Sequence, residues 1–231
     1  MIADDLPAAF DTLPEAWAKV LPGWTPALKA EVCRSVREVS GDRPIGPPDP
    51  FRALRLVAPD QVKVVIFGQD PYPTAGHADG LAFSAGQGRP RSLGRIFEVL
   101  VQDRPGFNPP AVWKLDPWAK QGVLLLNPAL TVEIGVTGSH LKVGWQALTT
   151  QIVEILCRQS SPLVFLLWGS KAQAFFARAK PLAASPRVLV DRHPSYDIKR
   201  EFMQDGSHFV ATQALVDWWA FDRAAPDSDI V

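Results

Sequence analysis

The sequence is poor in the residues that build disulfide frameworks and metal centres: among 231 residues there are 2 cysteines and 4 histidines. Cys33 and Cys157 lie far apart in stretches of helical pattern, which fits reduced, packed thiols and not a disulfide-stapled fold. Two thiols are too few for an iron–sulfur cluster. His77, His140, His193 and His208 show none of the helical spacings of zinc ligands. No metal and no cofactor are therefore expected. An excess of one charge is also missing, since 24 basic residues balance 24 acidic ones, so the basic surplus of many nucleic-acid binders is absent. That balance leaves DNA open as a partner, because hydroxyls and backbone amides also hold phosphates. No apolar run approaches membrane-spanning length, and the acidic start MIADDLPAAF lacks the basic and apolar regions of a secretion signal. The expectation is a cytoplasmic, monomeric protein without a membrane partner. Phosphate-loop, GxGxxG and GxSxG patterns are absent, which removes the common nucleotide-binding and α/β-hydrolase signatures.

What is present suits one enzyme domain. With 47% hydrophobic residues the chain can bury a sizeable core. The prolines cluster in short stretches at 44–50 and 105–110 that read as loops. Residues 14–21 and 27–39 carry helix-compatible apolar spacing. The expected layout is a single domain over 1–231, with an N-terminal helical region to 47, a catalytic core over 48–220 and a tail over 221–231. Four apolar runs follow, at 62–67, 122–126, 163–168 and 187–190, each of the length expected of a strand buried on both faces. Helical patterns at 93–101, 145–157 and 171–179 alternate with them, which predicts a largely parallel α/β sheet. In such sheets ligands gather beyond the carboxyl ends of the strands. The segments there are GQDPYP at 68–73, Asn127-Pro128, Gly169-Ser170 and His193-Pro194-Ser195. One carboxylate, one imidazole, one amide and several aromatic rings suit a hydrolysis with a good leaving group. A serine-hydrolase triad of Asp70, His193 and Ser170 lacks its nucleophile elbow, and ordinary glycoside hydrolysis wants a second carboxylate that these loops do not supply.

GQDPYP at 68–73, DGLAFS at 79–84, LLLNPALTV at 124–132, VFLLWGSKAQ at 164–173 and HPS at 193–195 resemble, in order, the motifs of family-1 uracil-DNA glycosylases. The resemblance runs over residues 48–215 and includes GSHF at 206–209. It implies an α/β fold with a central four-stranded parallel sheet flanked by helices. It also implies an enzyme that flips uracil out of single- or double-stranded DNA and hydrolyses its N-glycosidic bond. The products would be free uracil and an abasic site, the first step of base-excision repair. On the same footing Asp70 holds the attacking water, and His193 donates to uracil O2 as a neutral imidazole. Asn127 reads O4 and N3–H, Phe83 stacks on the ring, Tyr72 fills the space of a thymine methyl, and Gln69 adds backbone contacts to the base. Core packing is the competing reading for both aromatics. Ser92, Ser170 and Ser195 resemble the serines that pinch DNA phosphates.

Departures from the pattern are local. Pro73 and Asp79 stand where the family usually has His, and Pro128 replaces a small apolar residue. After HPS the family has Pro-Leu-Ser, its Leu wedging into the gap left by the flipped base; this chain has Tyr196-Asp197-Ile198, with Arg200 and Glu201 beyond. A carboxylate makes a poor wedge in a base stack. Tyr196, Ile198 and Arg200 are the candidates for its work, and packing or solvation of the loop is the competing role. Two other functions compete: a glycosylase of broader substrate range, against which Tyr72 and Asn127 speak, and a module that binds uracil in DNA without cleaving it, against which Asp70 and His193 speak.

Overall fold

The structure, a computed structural model, describes residues 1–159 and 162–221; the tail expected over 221–231 lies, beyond Phe221, outside the described residues. The chain opens with three helices, α1 (Leu6–Phe10), α2 (Glu15–Ala18) and α3 (Pro26–Ser40). Thr25 begins α3 by accepting a hydrogen bond from the Leu28 amide, with Pro26 at the first helical position, where a missing N–H costs nothing. The helix expected over 14–21 is only the single turn of α2, because Pro22 follows closely and disfavours helical backbone before it. Phe10, Trp24 and Phe51 meet the ring of Trp145 at centroid distances of 5.6, 6.0 and 6.1 Å. This aromatic cluster fastens the N-terminal region to the rest of the core.

The stretch 44–50, expected to be loop throughout, contains a two-residue strand, β1 (Ile45–Gly46), followed by the short helix α4 (Arg52–Leu56). Next come β2 (Val64–Phe67), α5 (Arg91–Asp103), α6 (Asp116–Ala119), β3 (Val123–Leu126) and β4 (Val132–Glu133). The chain then runs through α7 (Trp145–Cys157), β5 (Val164–Trp168), α8 (Ser170–Ala179), β6 (Arg187–Asp191) and α9 (His208–Thr212). β1 pairs antiparallel with β4. The main sheet has the order β3-β2-β5-β6, and all its pairs are parallel. Its α5 helix buries Leu93, Ile96, Phe97 and Leu100, an apolar stripe at helical spacing.

The first three strands are buried from end to end, as runs of aliphatic and aromatic residues covered on both faces should be. β6 differs from the expectation: it lies at one edge of the sheet with Arg187 and Val190 exposed, whereas β3 at the other edge is buried. Register decides where the site forms. Phe67 of β2 stands opposite Leu126 of β3 and Leu167 of β5, and Leu167 stands opposite Val190 of β6. The four strands therefore end at one level, and the residues that follow them share one edge. Among the described residues no helix is long and apolar enough to cross a membrane.

Candidate active site

Beyond that edge lies a cavity of about 130 Å³ walled by Asp70, Tyr72, Phe83, Asn127 and His193. It is small beside drug-sized ligand pockets and suits a single planar ring. Gln69, Ser92, Ser195 and Tyr196 also line it, so three strand ends and the 79–84 turn meet there. Ser170 opens α8 and is exposed outside the cavity, whereas Ile198 and Arg200 line a neighbouring cleft.

Asp70 leaves β2 half-buried, and its Oδ2 accepts a 2.7 Å hydrogen bond from the Gly138 amide. Burial raises its pKa above the ordinary value, opposed by the Gly138 amide, the Lys171 charge and Gln69. The carboxyl is thus held with one oxygen engaged. Gly138 is itself positioned by residues that the linear pattern did not mark. The Glu133 amide donates to Ser139 Oγ at 2.8 Å, and the Ser40 hydroxyl donates to Glu133 Oε2 at 2.9 Å. His140 lies between Ser40 Oγ and Thr131 Oγ1, 2.9 Å from each. Burial lowers its pKa to about 4, so the ring is neutral at pH 7. Because the Ser40 proton goes to Glu133, His140 must donate from Nε2 and accept from Thr131 at Nδ1, and Trp145 Nε1–H donates in turn to Thr131 at 2.7 Å. This buried chain ties the loop over 134–144 to α3 and α7. No local sequence signal marks it, since its members are 93 to 100 residues apart where they join α3.

His193 follows β6 and its Nδ1 accepts a 3.1 Å hydrogen bond from the Ser195 amide. An accepting Nδ1 leaves the proton of the neutral ring on Nε2. Burial, then the Lys171 charge, lowers the pKa to about 4, so this neutral form prevails near pH 7. The close approach depends on Gly169, whose φ is +94° and where a Cβ would sit 2.8 Å from His193 Cβ; only glycine meets both demands.

Asn127 is buried, and among the described residues its Oδ1 has no hydrogen-bond partner. An orphaned buried acceptor costs about 1–3 kcal/mol and is a reason to look for a ligand. A Cβ on Gly68 would fall 2.1 Å from that oxygen, so the glycine after β2 makes room for the amide. Phe83 is buried with φ +64°, a strained backbone for a large side chain. Its ring lies 5.3 Å from Trp168 and 5.7 Å from His193. Asp79 holds the turn that carries it, accepting from the Leu81 amide at 3.1 Å and the Ser84 hydroxyl at 2.6 Å, and pairing with Arg52. The acid that replaces a family histidine is thus a structural clamp.

Tyr72 donates to the Phe83 carbonyl at 3.0 Å, and its oxygen stands 2.8 Å from Ser92 Oγ. Ser92, expected to meet a DNA phosphate, is 2% exposed, lines the cavity and braces Tyr72 with its hydroxyl. Packing placed it there, since it sits on the inner side of the first turn of α5. Asp197 is likewise turned inward. Its side chain is 1% exposed, accepts from Arg95 Nε at 2.6 Å, and accepts from the Glu201 and Phe202 amides at 2.6 and 3.0 Å. Its neighbours point out, Tyr196 at 78% and Ile198 at 91% exposure. Arg200 pairs with Glu98.

Among the described residues no group of three His, Cys, Asp or Glu side chains stands where it could share a metal ion. The family model of the uracil DNA glycosylase superfamily matches residues 55–216. A uracil-DNA glycosylase of Bordetella avium is 38% identical over 98% of this chain and 95% of its own length. That of varicella-zoster virus is 42% identical over 74% of this chain, which spans 58% of the viral protein. Among solved structures, that of mimivirus uracil-DNA glycosylase superposes with a TM-score of 0.68 at 26% identity, over 85% of this chain and 72% of the viral one. On the family match over most of the chain, with its site residues gathered at one sheet edge, this protein belongs to the uracil DNA glycosylase superfamily.

Proposed function

We propose that the protein hydrolyses the bond between uracil and deoxyribose in DNA, and that Asp70, His193 and Asn127 carry the reaction. The observation that carries this reading is Asn127 in the wall of a ring-sized cavity with its Oδ1 left unpaired, an acceptor for uracil N3–H, with the amide nitrogen left to donate to O4. The base enters by rotation out of the helix and lies against Phe83, while the fixed Tyr72 ring excludes a 5-methyl group. As the N1–C1′ bond breaks, its electron pair leaves with uracil, and the Nε2–H of neutral His193 stabilises the charge growing on O2. The Asp70 carboxylate faces the positive charge on the sugar and orients a water; the water oxygen bonds to C1′ and its proton passes to Asp70. Ser170 and Ser195 hold flanking phosphates in this reading, and Gln69 contributes through its backbone. The test is a labelled uracil oligonucleotide incubated with the protein in EDTA and then treated with alkali. Strand breakage at uracil, and none with thymine or cytosine in its place, is the expected result; tight binding without base release would point to a non-cleaving module.

Asn127→Asp should lower uracil release and let the enzyme act on cytosine, because a carboxyl oxygen accepts from the cytosine amino group. The change in the ratio of the two rates is expected to reach about tenfold to a hundredfold, the usual size of one recontacted base edge. Unchanged uracil rates with no cytosine release would remove Asn127 from base reading.

Tyr196 and Ile198 flank the buried Asp197 as two outward side chains at the cavity rim and the adjoining cleft, and we assign them the wedge. Replacing both with alanine should slow uracil release from duplex DNA by about tenfold or more, with a smaller loss on single strands, where extrusion needs no unpairing. Equal losses on matched substrates would leave the pair without a duplex-specific role.

A further inference from the structure

Beside the base cavity, and sharing Ser195 with it, runs a cleft of about 440 Å³ between the segment 89–98 and the loop 194–200. Both carboxylates that line it are already engaged: Asp197 by Arg95, and Glu98 by Arg95 and Arg200. Arg89 and Arg91 also line it, and both are exposed. Among the described residues neither has an acidic partner. In a chain whose formal charge is zero, two unneutralised guanidinium groups in one cleft are a local anion site.

Their presentation is built into the fold. Pro90, with φ −59° and ψ 142°, holds the chain extended just before Arg91 opens α5, its ring stiffens that junction, and the arginines on either side of it both line the cleft. Arg89 rests over the Trp113 ring, 5.3 Å from guanidinium carbon to centroid, a contact that fixes the charge without neutralising it. Trp113 is seated against Phe97 at 5.3 Å and passes over Gly94, where a Cβ would already touch the indole at 3.4 Å.

We infer that this cleft takes the sugar-phosphate backbone of the DNA strand beside the flipped nucleotide, with Arg89 and Arg91 each on one phosphate and Trp113 as the positioning residue for Arg89. The inference rests on the DNA substrate proposed above. Arginine suits the role because its fork of donors matches a phosphate and keeps its charge at every working pH. The contacts do not touch the reacting atoms, so they should act on substrate affinity and its salt dependence and leave the chemical step alone.

The test uses the full chain and uracil oligonucleotides, single- and double-stranded, with kcat and KM measured between 50 and 200 mM NaCl. For the double variant R89Q/R91Q, the slope of log KM against log salt should fall by about 1.4 on single strands and about 1.8 on duplex, the values for two lost phosphate contacts. KM at the lowest salt should rise at least about tenfold, with kcat within about twofold of wild type. R89K/R91K should keep the slope, since the charge remains. W113L should lose part of the Arg89 share, and its melting temperature separates that loss from misfolding. A double variant with wild-type KM and slope overturns the cleft assignment. A wild type that never releases uracil overturns the glycosylase reading instead, and the cleft is then judged by the salt slope of binding to the same strands, read by fluorescence anisotropy.

Discussion

Asp70→Asn is expected to lower the single-turnover rate of uracil release by about two to four orders of magnitude, the combined size of a lost general base and a lost electrostatic stabiliser. Asparagine keeps the shape and can still accept the Gly138 amide at 2.7 Å, so the loop over 134–144 stays in place and substrate affinity should change little. What disappears is the negative charge opposite the developing sugar cation and the acceptor for the water proton. The pH profile supplies a second readout. Burial raises the Asp70 pKa above its ordinary value, so in the wild type the rate falls as the working carboxylate is protonated at low pH, and that acid limb belongs to Asp70. The asparagine variant should lack it. Rapid-quench measurement across pH 4 to 8 checks both points. A variant within tenfold of wild type, or one retaining the same acid limb, would take Asp70 out of the reaction.

The second large effect is expected at His193. Its replacement by Ala should cost about a hundredfold to a thousandfold in the rate of base release, the usual cost of one preorganised donor to a developing anion. The Ser195 amide fixes the tautomer by donating to Nδ1, so Nε2–H is the group turned to the leaving base, and a pKa lowered to about 4 keeps the ring a neutral donor over the working range. The sign follows: raising the pH from 5 to 8 should leave the His193 contribution unchanged, since its proton on Nε2 is not acidic there. His193→Gln, which keeps an N–H donor on a longer arm, should recover part of the loss. Nitrogen-15 chemical shifts of the imidazole supply an independent test. A ring protonated at pH 6, or a rate within tenfold of wild type for the alanine variant, would defeat the assignment.

The strand and helix pattern was legible because it is written in local terms. β2, β3 and β5 are short runs of aliphatic and aromatic residues, and α7 spans 145–157 as its apolar spacing predicts. The helices α1, α4 and α9 have five residues each, too few to display a period, and were not readable. Strand β6 carries the same kind of apolar run as β3, and both lie at sheet edges, yet β3 is covered and β6 is partly exposed; a run of four residues does not say what will pack over it.

The sequence by itself determined which chemical groups are present and that they follow strands: Asp70, Asn127, Ser170 and His193 each stand just beyond an apolar run, in motifs that resemble those of a known family. Only the tertiary structure decided which way each side chain faces. Ser92 reads as a surface hydroxyl but braces Tyr72, and Asp197 aligns with a wedge but is locked to Arg95 inside the protein. It alone also joined Gly138 to Asp70 across 68 residues and Glu133 to Ser40 across 93. The physical reason is that secondary structure is set by period and turn chemistry within a few residues, whereas the facing of a polar side chain is set by the partner that satisfies its hydrogen bonds once water is excluded, and that partner is chosen by the packing of the whole chain.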